Sequence, residues 1–220
     1  MDQQEYMIET KDLVKKYRLG DGSDLTVLDH LNLRLPKGEL IMIMGRSGSG
    51  KTTLINVLSS LDDFNEGSIR IQDHELRDMS SGERENLRRY KMGFVFQSVA
   101  LMPSMTAYEN IDFGLRTAGV KKGRDERIKE VLEKVGLSDR GRHYPVELSG
   151  GERQRIAIAR AMAHRPVVLF ADEPTGALDT ESGMHIALLF KELAHKEGIT
   201  VVMTTHDLKL SELADVLIRL

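Results

Sequence analysis

Gly45-Arg46-Ser47-Gly48-Ser49-Gly50-Lys51-Thr52 follows the apolar run Leu40-Ile41-Met42-Ile43-Met44 and precedes Thr53-Leu54-Ile55-Asn56-Val57-Leu58. The run has the length and continuity of a buried strand, and the stretch after the octet has the look of a helix. A G-x-x-x-x-G-K-[ST] spacing cradles phosphate when a strand delivers the loop and a helix leaves it. Glycines let backbone N–H groups turn inward on a di- or triphosphate, and the helix start adds unpaired N–H groups and the positive end of its dipole. Lys51 is placed to reach the β- and γ-phosphates, and the Thr52 hydroxyl to ligate Mg²⁺. The octet, with Thr53, is assigned to binding a nucleoside triphosphate.

The 220 residues suit one domain with a sizeable core, and the absence of cysteine rules out disulfides, thiolate zinc sites and cysteine nucleophiles. A net charge of −3 supplies no basic field to hold DNA or RNA, so no nucleic-acid partner is expected. Met1-Asp2-Gln3-Gln4-Glu5-Tyr6 lacks the basic and apolar regions of a secretion signal. No apolar run approaches the ~20 residues of a membrane span.

Met7 to Tyr17, Thr26 to Leu35 and Gly67 to Ile71 have partial strand alternation and predict a small antiparallel sheet beside the phosphate-binding core. Met92 to Phe96 reads as a buried strand. About sixty residues of helical character follow, with Ile128, Val131, Leu132 and Val135 at helical spacing. Strand and helix then alternate through Val167–Ala171, a helix using Ile186, Leu189, Phe190 and Leu193, the strand Thr200–Thr204, a short helix and Ala214–Leu220. The expected fold is α/β, with a mostly parallel sheet. A single domain spans 1–220, with the core and β subdomain at 1–97 and 161–220 and an inserted helical subdomain at about 98–160.

Val167-Val168-Leu169-Phe170-Ala171-Asp172-Glu173 puts two carboxylates at the end of an apolar run, where parallel sheets keep their ligand sites. Asp172 is assigned to Mg²⁺. Glu173, facing the other way along the strand, is assigned to deprotonating the water that attacks the γ-phosphate. Ser149 and Glu152, in Leu148-Ser149-Gly150-Gly151-Glu152, have capping-box spacing at the start of a helix. Two glycines in a first turn cost about 1 kcal/mol each unless something must approach the backbone closely. That end therefore reads as a second anion site. One chain has one cradle, so both sites are used if a head-to-tail homodimer closes this turn on a neighbour's nucleotide.

Gly45–Thr52, Leu148–Glu152 and Val167–Glu173, in that order and at roughly those distances, resemble the nucleotide-binding subunit of an ATP-binding cassette transporter over essentially the whole chain. The resemblance implies a P-loop NTPase fold and hydrolysis of Mg-ATP to drive a separate integral membrane permease. It also implies a cytoplasmic location, on the inner face of the membrane through that partner. By the same resemblance, Tyr17 stacks on adenine, Gln97 contacts Mg²⁺ and the attacking water, Asp179 faces the opposite subunit and His206 touches the γ-phosphate. Asp172-Glu173-Pro174-Thr175-Gly176-Ala177-Leu178-Asp179 looks most like the lipoprotein-release and macrolide or peptide export group, with the cell-division ATPase, which moves a membrane partner without cargo, as the alternative. Glu152 stands where the superfamily more often has Gln. The stretch Thr53 to Glu147 shows no sustained heptads, unlike the coiled-coil DNA-repair members, and Glu173 with His206 speaks against a silent nucleotide-binding module. Val99 to Met105 is apolar for a loop containing a proline, and a membrane partner is expected to cover it, the alternative being that it packs on the helices of its own inserted subdomain.

Lys51→Ala removes the side-chain cation placed to reach the β- and γ-phosphates. Charge-assisted bonds contribute ~1.5–3 kcal/mol each, so Mg-ATP affinity should fall by about 10²-fold or more in a nucleotide titration. Wild-type binding by this variant would overturn the phosphate assignment.

Overall fold

The computed structural model describes residues 5–220; Met1–Gln4, most of the stretch read as lacking a secretion signal, lie outside the described residues. Strand β3 (Leu40–Met44) is buried at every position, as its unbroken apolar run requires. It lies inside a five-stranded sheet, flanked by β8 (Thr200–Thr205) and β9 (Val216–Arg219), in the order β6-β7-β8-β3-β9. Here β6 is Met92–Val95 and β7 is Val168–Ala171, and all the pairings are parallel. The second sheet is antiparallel, in the order β2-β1-β4-β5, from β1 (Tyr6–Arg18), β2 (Asp24–Pro36), β4 (Glu66–Ile71) and the short β5 (His74–Glu75).

Alternation along the central strands sends successive side chains to two different cores. Leu40 and Met42 of β3, Leu169 of β7, and Val201 and Met203 of β8 join one cluster with helices α3 (Ala107–Thr117), α4 (Arg124–Lys134), α5 (Gly150–Met162) and α6 (Thr180–Glu197). Ile41, Ile43, Val168, Phe170 and Val202 join the other, with the antiparallel sheet and helix α1 (Lys51–Leu58). The parallel sheet is thus the middle layer.

Helix α4 buries Ile128, Val131 and Leu132 as its spacing predicts, while Val135 becomes the residue that ends it. On α6 the buried face runs through Ile186, Ala187, Phe190, Leu193 and Ala194, with Leu189 at its half-buried edge. Pro145 opens a single 3-10 turn, Pro145–Glu147, ahead of α5. Helix α2 (Ser81–Lys91) has no counterpart in the sequence reading. It buries only Leu87, so no apolar period marks it; its signal is the capping box of Ser80 and Glu83.

The apolar loop after β6 is covered in part by its own chain. Leu101 packs against the helical core, and Arg160 of α5 donates to the Ala100 carbonyl at 2.7 Å. Asn110, fully buried on α3, accepts from Met102 N–H at 2.8 Å and donates to the carbonyls of Met102, Met105 and Thr106 at 3.0–3.2 Å. Leu101 and Met102 are half-buried within this chain, as the alternative of packing on its own helices has it, while Pro103 and Ser104 stay exposed.

Asn110→Ala strands the Met102 N–H and frees the loop. A loss of about 1–3 kcal/mol is expected, seen as a melting temperature lower by several degrees. An unchanged melt would show that the loop is held by other contacts.

Candidate functional site

The loops that leave β3, β6, β7 and β8 meet at the C-terminal edge of the parallel sheet, where such sheets carry their sites. A pocket of about 320 Å³ opens there. Its phosphate side is Ser47, Gly48, Gly50, Lys51, Thr52 and Thr53, and its far side is Gln97, Asp172, Glu173 and Val27. Hollows of about 720 Å³ on the outer antiparallel sheet and about 610 Å³ beside α2 are larger. The smaller pocket is the one on which the glycine-rich loop and the carboxylates converge.

The cradle fits a chain of phosphates on three observations. A Cβ at Gly45 would lie 2.3 Å from Ser49 Oγ, and one at Gly50, which has a φ of 96°, would lie 2.9 Å from Val27 Cγ1. Ser49 Oγ is buried with no hydrogen-bond partner, a donor waiting for an acceptor. Helix α1 has neither a side-chain cap nor an acid in its first turn, whereas the other α-helices of the described residues have one or the other. The backbone N–H groups at that end are left to an external anion.

Lys51 is buried, and its ammonium donates to the carbonyls of Gly45 at 3.1 Å and Arg46 at 3.2 Å. It also lies 3.5 Å from Glu173 Oε1, while His206 Nδ1 lies 3.6 Å from Glu173 Oε2. Glu173 is thus held between Lys51 and His206. Asp172 and Glu173 do not face opposite ways. Strand β7 ends at Ala171 and Glu173 has a φ of 43°, so strand alternation no longer applies and both side chains line the same pocket. Thr204, which the sequence marks only as the end of a strand, binds both residues: its hydroxyl accepts from Glu173 N–H at 2.8 Å and donates to Asp172 Oδ1 at 2.7 Å. Its place near the C-terminal end of β8, two residues before His206, was the available signal. Thr52, Asp172 and Gln97 offer the hard oxygen donors that suit Mg²⁺.

Tyr17 lies at the margin of the site. It pairs with Leu25 on β2, two residues before Val27, donates to Asp62 Oδ2 at 2.8 Å, and carries the Lys15 ammonium 4.7 Å from its ring centre. Ser149, Gly150, Gly151 and Glu152 lie outside the pocket. Ser149 caps α5 by accepting from Glu152 N–H at 3.2 Å, and Glu152 returns the bond by accepting from Ser149 N–H at 2.8 Å. A Cβ on Gly150 or Gly151 would meet only ordinary contacts, Leu178 at 3.4 Å and Ser182 at 3.5 Å. The chain itself does not require glycine there. Asp179 caps the adjacent α6 by accepting from Ser182 N–H at 2.9 Å, so the two turns share one surface.

The family model described as ABC transporter matches residues 28–176, which takes in the cradle, the capped turn of α5 and both carboxylates. The chain belongs to the ABC transporter family. This cassette is 44% identical over 215 residues to the uncharacterized ABC transporter ATP-binding protein MJ1508 of Methanocaldococcus jannaschii, covering 97% of this chain and 95% of that protein. It is 41% identical over 215 residues to the macrolide export ATP-binding/permease protein MacB of Vibrio parahaemolyticus, covering 97% of this chain and 33% of MacB. The dimeric post-hydrolysis structure of the ATP-binding cassette MJ0796 bound to ADP and Pi superposes with a TM-score of 0.85 at 38% identity, covering 97% of this chain and 94% of that one. The cassette is an ATPase, built on the P-loop fold with its parallel and antiparallel sheets.

Backbone N–H donation from Ser149 and the Arg140 guanidinium at 3.1 Å hold the Glu152 carboxyl down at about 2. A depressed carboxylate contributes stability that is full above its ordinary value near 4.5 and is lost as pH falls toward 2. Glu152→Gln should keep the cap and flatten the loss of stability across that window in acid-unfolding curves. An unchanged acid profile would place the acid sensitivity elsewhere.

Proposed function

We propose that the cassette works as a head-to-tail homodimer that clamps two Mg-ATP and, by closing and hydrolysing them, drives a separate integral membrane permease. The observation that carries this reading is the pair of half-sites on one chain. The cradle has its carboxylates but nothing across from them, while the Ser149-Gly150-Gly151 turn has bare backbone and no ligand of its own chain. A second copy brings the two together, and Asp179, on the same surface as that turn, then faces the neighbour. The dimeric state of the MJ0796 cassette supports the arrangement.

The phosphates rest on the N–H groups of Gly45 to Thr53, with Lys51 leaving the carbonyls of Gly45 and Arg46 for the β- and γ-oxygens. Thr52, Asp172 and Gln97 would hold Mg²⁺, which would supply charge neutralisation at the β- and γ-phosphates. Glu173 takes the proton of the attacking water once Lys51 has turned to the nucleotide, and His206 passes from Glu173 to the γ-phosphate. Tyr17 offers its outer ring face to adenine.

No helix of the described residues is long and apolar enough to cross a membrane. We place the cassette on the cytoplasmic face, held by its permease. The hollow of about 610 Å³ beside Phe94, Phe113 and Leu61 is a surface for a permease segment. Arg160 lines it and bonds the Ala100 carbonyl, three residues after Gln97, which ties that surface to the nucleotide. The MacB proteins, named as ATP-binding/permease proteins for macrolide export, support an exporter.

Glu173→Gln keeps the shape of the side chain and removes the base. Turnover should fall by about 10²–10⁴. Mg-ATP should then convert the variant to a stable dimer in sizing chromatography; a variant that stays monomeric would overturn the clamp.

A further inference from the structure

Three threonines of β8 are buried, and their hydroxyls do different work. Thr200 Oγ1 accepts from Gly38 N–H at 2.9 Å, a tie to the turn before β3. Thr205 Oγ1 accepts from Asp207 N–H at 3.1 Å, a local turn contact. Thr204 alone spends both its proton and a lone pair on Asp172 and Glu173.

We propose that Thr204 is a positioning residue for ATP hydrolysis, orienting Asp172 for the metal and holding the backbone of Glu173 so that its carboxylate enters the pocket. The inference rests on the roles given above to Asp172 and Glu173. The hydroxyl has one proton, and it goes to Asp172 Oδ1. Oδ2 is left as the oxygen that would be offered to a metal, and the carboxylate cannot rotate without breaking the bond. Ligating carboxylates depend on such outer partners for orientation and affinity.

The lone pair acts on a strained element. Glu173 has a φ of 43°, a left-handed conformation that a glutamate adopts only when its surroundings impose it. The N–H of that residue points to Thr204 Oγ1 at 2.8 Å. Without the hydroxyl the N–H is stranded beside a buried side chain, and Glu173 is free to relax toward the extended backbone of β7, which turns its carboxylate away from Lys51 and His206. Thr204 is fully buried and does not line the pocket, so it acts through the two carboxylates.

Thr204→Val keeps the volume and branching and removes both bonds. In the full chain, kcat should fall by about 10–100-fold, with KM for ATP within roughly threefold of wild type. The Mg²⁺ concentration that half-saturates its enhancement of ATP binding should rise by about tenfold, while ATP binding in EDTA stays unchanged. Thr204→Ser, which retains the hydroxyl, should restore both quantities, and Thr204→Cys, a weak donor, should fall between. Thr200→Val is the comparison for a lost buried hydroxyl that only stabilises: it should lower the melting temperature and leave kcat and the Mg²⁺ dependence in place. If Thr204→Val behaves like Thr200→Val, the proposal is wrong while the roles of Asp172 and Glu173 stand. If Glu173→Gln turns over like wild type, those roles fail first. Should the valine variant not fold, Ser and Cys decide: equal Mg²⁺ dependence for the two would overturn the proposal.

Discussion

Burial of β3 on both faces is the constraint on which the other elements depend. Leu40 and Met42 belong to the helical core, Ile41 and Ile43 to the core beneath the antiparallel sheet, and the strand has no face left for solvent. A slip of one residue would exchange the two sets, which differ in size and shape, and would move Gly45 off the edge of the sheet. The register with β8 and β9 is therefore set by packing, residue against residue from Leu40 opposite Val201 to Met44 opposite Thr205. The cradle inherits its position from a strand that cannot shift.

At the edge of that strand Lys51 and His206 both lie within ion-pair reach of Glu173. Lys51, buried, leans on two carbonyls of its own loop and on Glu173, contacts that are weaker than those a triphosphate offers. Glu173 stands between Lys51 and His206. In the proposed mechanism, a nucleotide that drew Lys51 and His206 away would leave Glu173 free to act as a base.

The capped turn of α5 has the opposite character. Ser149 and Glu152 satisfy one another, Arg140 braces Glu152, and the glycines between them are packed only loosely by their own chain. A rigid frame with bare backbone is suited to docking against something brought from outside. The complementarity between the cradle and this preformed turn is what the proposed dimer rests on.

Much of this was legible in the residues. Gly45 to Thr52, the apolar strands before the cradle and before Asp172, and the Ser-Gly-Gly turn each carry a local signature, because phosphate binding and helix capping are set by neighbours in sequence. Helix α2 was not legible, since a helix that buries one leucine leaves no period. Nor was the fate of Leu101, which depends on what α3 and α5 bring over the loop. The direction of Glu173 and the part played by Thr204 were decided only in three dimensions. A left-handed residue breaks the alternation from which the direction would be read, and the hydroxyl that holds it comes from a strand 31 residues further on. Local chemistry is written in spacing; the pairing of β7 with β8, which sets the two carboxylates, is a product of burial on both faces of the sheet.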